Sequence, residues 1–368
     1  MSVFRSKPAL RWLVPSAAAV VVIGGGAAAG TIVASADPSL PDRSAAQLLV
    51  DVQNAKVDGF SGTVVETADL GLPAIAGAVG NAAPSGDVTR LLGGSNTARV
   101  WYAGQDQARL ALVGTDGETD VMRNGTDAWL WRSADNSATH LTLPADAPDK
   151  AIPSGAPLTP QQAADQALAA ITPTTKVDTT GAAKVAGRDA YELVLSPKDT
   201  TSLVGQVRLA IDAEKHIPLR VDVYAKNATN PSVRVAFQQI SFTTPDAQEF
   251  KFNPPPGAKV TDASPQQVEQ QHAKAMQDQK KPVAGAEPKV IGKGWTSIVS
   301  LKLPADTGAK SKDSAQLQTA LNILPSVSGT WGKGHLLSGS LFSALITDDG
   351  RVFVGAVTPE ALYQAAAK

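Results

Sequence analysis

The sequence predicts a mainly β fold of the α+β class: a curved antiparallel sheet of about eleven short strands with few helices, followed by a small C-terminal α+β unit. Three observations predict it. Runs such as Leu219-Arg220-Val221-Asp222-Val223 put apolar residues on one face and charged ones on the other, the period of a half-buried strand. Glycine, asparagine and aspartate punctuate these runs at the spacing of a meander. The composition is 43% hydrophobic but only 5% aromatic, and its wealth of Val, Thr, Ala and Gly suits a sheet better than a disordered chain.

At 368 residues the chain is too long for one typical domain. Residues 1–36 stand apart. Arg5, Lys7 and Arg11 precede an uncharged run from Trp12 to Ala36, and Ala34-Ser35-Ala36 offers a small-residue cleavage site before Asp37. This segment reads as a signal peptide or, because the run approaches the ~20 residues that span a bilayer, as an N-terminal membrane anchor weakened by Gly24-Gly25-Gly26. Either reading places the rest outside the cytoplasm, as a secreted protein or one anchored at the outer face of the cytoplasmic membrane.

Asp42 or Ser44 caps a short helix with Leu48, Leu49 and Val52 on one face, and Gly59 stops that pattern. From Phe60 the period becomes two, with strands around Thr63–Glu66, Arg99–Tyr102, Ala108–Leu112 and Trp129–Trp131. Between the first two lies the insertion Asp69–Ser95, which carries Leu70, Leu72, Ile75 and Val79 and is too apolar for an idle surface loop. Thr159-Pro160-Gln161-Gln162 then supplies a cap, a proline at the first helical position and a glutamine at the third, opening a helix to about Ile171. Strands resume at Tyr191–Leu195, Val207–Ile211, Leu219–Val223 and Val233–Phe237. A slip of phase between Phe237 and Ile240 predicts a bulge at Gln238-Gln239.

Residues 261–293 are polar and rich in Gln, Lys and Pro, and read as an interdomain linker. Residues 294–368 read as the small α+β unit: a strand around Trp295–Leu303, a helix around Ala315–Leu324, a hairpin turning at Asp348-Asp349-Gly350, and a last helix opened by Thr358-Pro359.

The chemistry search is negative. A formal net charge of -1 provides no field for nucleic acid, so no nucleic-acid partner is expected. The absence of cysteine excludes disulfides, thiolate metal sites and a lipidated cysteine. His140, His216, His272 and His335 have no second ligand at metal spacing and read as surface or structural residues. Gly329-Thr330-Trp331-Gly332-Lys333-Gly334 lacks the strand and helix of a nucleotide-binding unit and reads as a turn. No nucleophile elbow or phosphate loop occurs, so neither catalysis nor a cofactor is expected.

Several segments in order resemble the LolA/RseB superfamily of lipoprotein carriers and envelope regulators. They are Gly59-Phe60-Ser61-Gly62-Thr63 after the first helix; Arg123 to Trp131; Tyr191 to Lys198; Leu209-Ala210-Ile211-Asp212 with Ile217-Pro218-Leu219; and Phe250-Lys251-Phe252-Asn253-Pro254-Pro255-Pro256-Gly257 to Val260. The resemblance implies that residues 37–260 form an incomplete antiparallel β-barrel closed by helices over an apolar cavity for acyl chains. On that reading Val100, Tyr102, Leu110, Leu112, Trp129, Trp131, Leu219, Val221, Val223 and Phe237 bind lipid, and Leu70, Leu72, Ile75 and Val79 belong to a lid. The lid-tethering arginine of the carriers falls here at Ala103 or Gly104, a departure from their pattern. The ending Val352 to Glu360 is similar to the closing strand and helix of the regulator's second domain. The implied function is an exported carrier that shields the acyl chains of a lipid or lipoprotein at the membrane surface. The alternative is an envelope sensor that binds a membrane-bound regulatory protein.

Overall fold

The structure, a computed structural model, describes residues 40–72, 93–114, 117–143, 172–263, 288–302, 321 and 323–368. The segment 1–36, the helix expected from Thr159, most of the helix expected over Ala315–Leu324, and the lid positions Ile75 and Val79 lie outside these residues. No helix among the described residues is long and apolar enough to cross a membrane.

Helix α1 (Ala45–Asn54) starts where Ser44 accepts from the Gln47 amide while the Gln47 side chain reciprocates to Ser44, a capping box. Eleven strands follow in sequence: β1 (Phe60–Asp69), β2 (Gly93–Tyr102), β3 (Gln107–Gly114), β4 (Gly117–Asn124), β5 (Asp127–Arg132), β6 (Ser137–Thr142), β7 (Thr175–Val185), β8 (Arg188–Pro197), β9 (Val204–Asp212), β10 (Pro218–Ala225) and β11 (Val233–Ser241). Each pairs antiparallel with its neighbours, and β1 joins the two meanders by pairing with both β2 and β11. A twelfth strand, β12 (Lys259–Ala263), adds to the edge in parallel with β6, so the sheet is mixed and remains open between β12 and β7.

The parallel edge has a local cause. After β11 the chain forms a 3-10 turn at Ala247–Phe250, capped by Asp246, and buries Phe250 against β3 and β4. Passing over that face, it reaches β6 from the side that a tight hairpin cannot. The bulge predicted at Gln238-Gln239 is present: Thr63 faces Gln239 while Val64 faces Phe237, leaving Gln238 as the extra residue.

The C-terminal unit is a second sheet ordered β13 (Lys289–Ile291), β14 (Ile298–Lys302), β18 (Arg351–Gly355), β17 (Ser343–Thr347), β16 (Gly332–Ser338) and β15 (Ser326–Gly329). Helix α2 (Pro359–Ala366), entered through Thr358 with proline at its start, seats Leu362 on Leu345, Phe353 and Val357. The Asp348–Gly350 hairpin and the turn between Gly329 and Gly332 are as expected. Trp295 is a correction. It lies in a 3-10 turn (Gly294–Thr296) made possible by the positive φ of Gly294, and its indole N–H crosses to Thr175 Oγ1 at 2.8 Å. The sheets extend into both ends of the stretch read as a linker, at β12 and β13.

The two sheets are joined by backbone. Leu203 N–H donates to Ala356 O, Ser202 bridges Val357, and Ser340 N–H donates to Leu70 O at 2.7 Å. The two described lid residues therefore sit against the C-terminal unit. Leu70 is buried, and a Cβ on Gly339 would lie 3.1 Å from Leu72 Cδ2.

Candidate functional site

Register assigns each side chain to a face. Val64 stands opposite Phe237 and Ala98, Gly62 opposite Val100, Val100 opposite Leu110, Leu110 opposite Val121, and Val235 opposite both Glu66 and Val221. These residues share one side of the sheet, because side chains alternate along a strand while opposed pairs point the same way.

On this side lies a hollow of about 480 Å³, walled by Phe60, Val64, Val100, Tyr102, Leu110, Val121, Val221, Val235 and Phe237, with Leu219 and Arg123 also lining it. Its size falls within the ~300–1,000 Å³ of small-molecule sites. Phe60 packs against Tyr102 at 5.5 Å between ring centroids and edge-on to Phe237 at 6.2 Å, so aromatics close one end.

Of the residues expected to bind lipid, Val100, Tyr102, Leu110, Leu219, Val221 and Phe237 line the hollow. Leu112 packs beside it on Val64, Ala98 and Val235. Val223 shares the face one step further along, opposite Val233 and Val207. Trp129 and Trp131 do not share it. Leu130 is the residue that faces Val121, so the flanking tryptophans point to the other side, where Phe252 covers both at 5.2 and 6.3 Å and His140 stacks on Trp129 at 4.3 Å. The resemblance implied a lipid contact for both, but their parity places them, half-buried, beneath the Phe250–Phe252 crossing.

Sequence reasoning missed Phe60, Val64, Val121 and Val235 as lining residues. The signal was available in the alternation Val64-Glu66-Ala68, but Val121 stands in a strand whose neighbours Thr119, Asp120 and Arg123 hide the period.

At the aromatic end Arg123 is held by Asp106 at 2.9 Å and by the Gly125 carbonyl at 3.1 Å. On the same face but beyond the lining residues, Glu66, 4% exposed, stands opposite Val235 and accepts a hydrogen bond from Asn96 Nδ2. Burial holds its pKa above the ordinary 4.5, and the Asn96 bond only partly offsets this.

The opposite face is polar and tightly paired. Arg234 grips the buried Asp222 at 2.6 and 2.9 Å, Arg220 reaches Asp222 at 3.1 Å and Glu192 at 2.6 Å, and Arg208 reaches Glu192 at 3.3 Å. Across β9–β10, Asp212 takes Arg188 together with the amides of Glu214 and Lys215, which closes that turn.

An open, mostly antiparallel sheet with one apolar hollow and one ion-paired back is the architecture of an incomplete β-barrel. Residues 98–274 match the family model of the MucB/RseB N-terminal domain, so this part of the chain is similar to that family. Among solved structures, the complex of Pseudomonas aeruginosa MucA/MucB is 14% identical, with 88% of this chain and 96% of that chain covered at a TM-score of 0.40. A LolA superfamily protein from Nitrosomonas europaea is 11% identical, with 57% and 99% covered at a TM-score of 0.22. No curated protein matches the chain.

Proposed function

We propose that this protein holds the acyl chain of a lipid or lipoprotein in the hollow, outside the cytoplasm and without catalysis. The observation that carries the reading is the hollow itself, a recess of about 480 Å³ with almost wholly apolar walls on one face of the sheet. Burying a methylene is worth about 0.8 kcal/mol, so an acyl chain of ordinary length meets a barrier on the order of 10 kcal/mol in crossing water. An apolar recess at the membrane surface removes most of that barrier, and transfer between two apolar sites is close to neutral. The lining residues Val100, Leu110, Val221 and Phe237 would touch the chain.

A second reading, a regulator that binds a membrane-bound protein and is modulated by the lipid, is favoured by the match to the MucB/RseB N-terminal domain. MucB itself is solved in complex with MucA(peri).

Native mass spectrometry of the purified protein, with lipid extraction, tests the first reading. The expected result is co-purified lipid that is absent from Leu110→Asp. A protein that stays empty after exposure to envelope lipids would remove the reading. A stable complex with an extracytoplasmic protein segment, formed equally by Leu110→Asp, would favour the regulator.

A further inference from the structure

Glu66 is a buried acid that the acyl-chain reading leaves unused. It lies on the hollow side of β1, two residues from Val64 and opposite Val235, both of which line the hollow. It is 4% exposed, and the side chain that bonds it is the neutral Asn96, on the adjacent strand and itself 5% exposed. Among the described residues no lysine, arginine or histidine pairs with it, whereas the buried Glu192, Asp212 and Asp222 on the other face each take one arginine or more. A carboxylate has about four acceptor sites, and Asn96 uses one of them. Burying a charge with no counter-charge is costly, so a ligand that brings a donor to Glu66 is the complement that the described residues lack.

We propose that Glu66 and Asn96 form a polar subsite beside the hollow that selects amphiphiles carrying an ammonium or another strong hydrogen-bond donor and disfavours those carrying a carboxylate. The apolar chain lies along Val64, Val100 and Leu110, and its amine meets Glu66. The three arginines that line the hollow are already engaged, Arg123 by Asp106 and the Gly125 carbonyl, Arg109 by Asp120, and Arg220 by Glu192 and Asp222, which leaves the selection to Glu66. This rests on the proposed acyl-chain function.

Isothermal titration of the purified full chain with dodecylamine, dodecanol and dodecanoate compares three heads on one tail, and lysophosphatidylethanolamine set against lysophosphatidylglycerol asks whether the amine is accepted on a lipid headgroup or only free. The expected order is amine, then alcohol, then carboxylate. Glu66→Gln, which keeps the shape and removes the charge, should weaken the amine by about ten- to a hundredfold while changing the alcohol by less than about threefold. A thermal melt on each sample confirms that the variant is folded. Equal binding of all three heads, or an unchanged order in Glu66→Gln, overturns the subsite and leaves the acyl-chain function standing. Binding of none of them by the native protein overturns both.

Discussion

Replacing Asp222 by asparagine tests how the back of the sheet is held. The carboxylate is fully buried, accepts two bonds from Arg234 at 2.6 and 2.9 Å, and lies 3.1 Å from Arg220 Nε. Asparagine preserves the volume but removes the charge. Arg220 keeps Glu192 at 2.6 Å, so the group left without a carboxylate among the described residues is Arg234, whose side chain is 28% exposed. Removing one partner of a buried ion pair costs about 3–5 kcal/mol, and the partial exposure of Arg234 puts this case near about 3 kcal/mol. In a chain of 368 residues that lowers Tm by roughly 4 °C. Urea unfolding followed by tryptophan fluorescence and circular dichroism measures it. The control is the double variant Asp222→Leu with Arg234→Met, which removes both charges and should lose less than Asp222→Asn alone. A loss below about 1 kcal/mol in Asp222→Asn, or a double variant worse than the single, would refute the view that charge compensation holds this face.

Four further outcomes are expected. Gly62→Ala would set a Cβ 2.6 Å from the Gln239 carbonyl and 2.9 Å from the Phe237 ring; because the carbonyl belongs to the bulge, it should cost about 1–3 kcal/mol and reduce uptake of a fluorescent apolar probe. Ala186 holds φ at 50° in the β7–β8 turn, so Ala186→Gly should raise stability by up to about 1 kcal/mol in the same urea assay. Asp127, and secondarily Asp262, raise the His140 pKa above 6.5; its tie to β12 is present below that value and lost as pH rises through the raised one, so hydrogen exchange of β12 amides should accelerate at alkaline pH, with the step absent in His140→Gln. Burial raises Glu66 above 4.5, so its contribution is fullest below that value and lost as pH rises, and Glu66→Gln should become the more stable protein toward about pH 8; a constant gap between the two across the pH range would contradict this.

Much of the main sheet was legible because its strands carry clean alternation: Leu219-Val221-Val223 and Val233-Val235 could only be half-buried strands, and the phase slip after Phe237 fixed the bulge. Strands without alternation were less visible. β4 reads Gly-Glu-Thr-Asp-Val-Met-Arg-Asn, and it forms a strand because Asp120 and Arg109 pair across to β3 at 2.7 Å while Met122 is buried, a tertiary cause that no local period shows. β12 was invisible for the same reason: Lys259–Ala263 is exposed over most of its length and is ordered by the parallel ladder to β6. The site was half legible. Period two put Leu219, Val221 and Val223 on one apolar face, but the resemblance that added Trp129 and Trp131 did not take account of their parity, and Glu66 went unmarked because one carboxylate in a strand carries no signal until its burial is known.

Where the hollow lies can be related to what, among the described residues, covers the sheet. Twelve strands at ~4.8 Å spacing span on the order of 50 Å, whereas α1, with ten residues, is about 15 Å long. Its buried Leu48 sits on Tyr191 and Ile211, with Val52 beside them, so it covers the side near β7 and β8. Over β1 to β4 and β10 to β11 the inner side chains are mainly valine and alanine, with Ala98 fully buried and Val121 still 47% exposed. Asp222 and Val221 are neighbours on opposite faces of β10, so the ion pairs that fix this strand on one face also fix the register of the hollow's wall on the other.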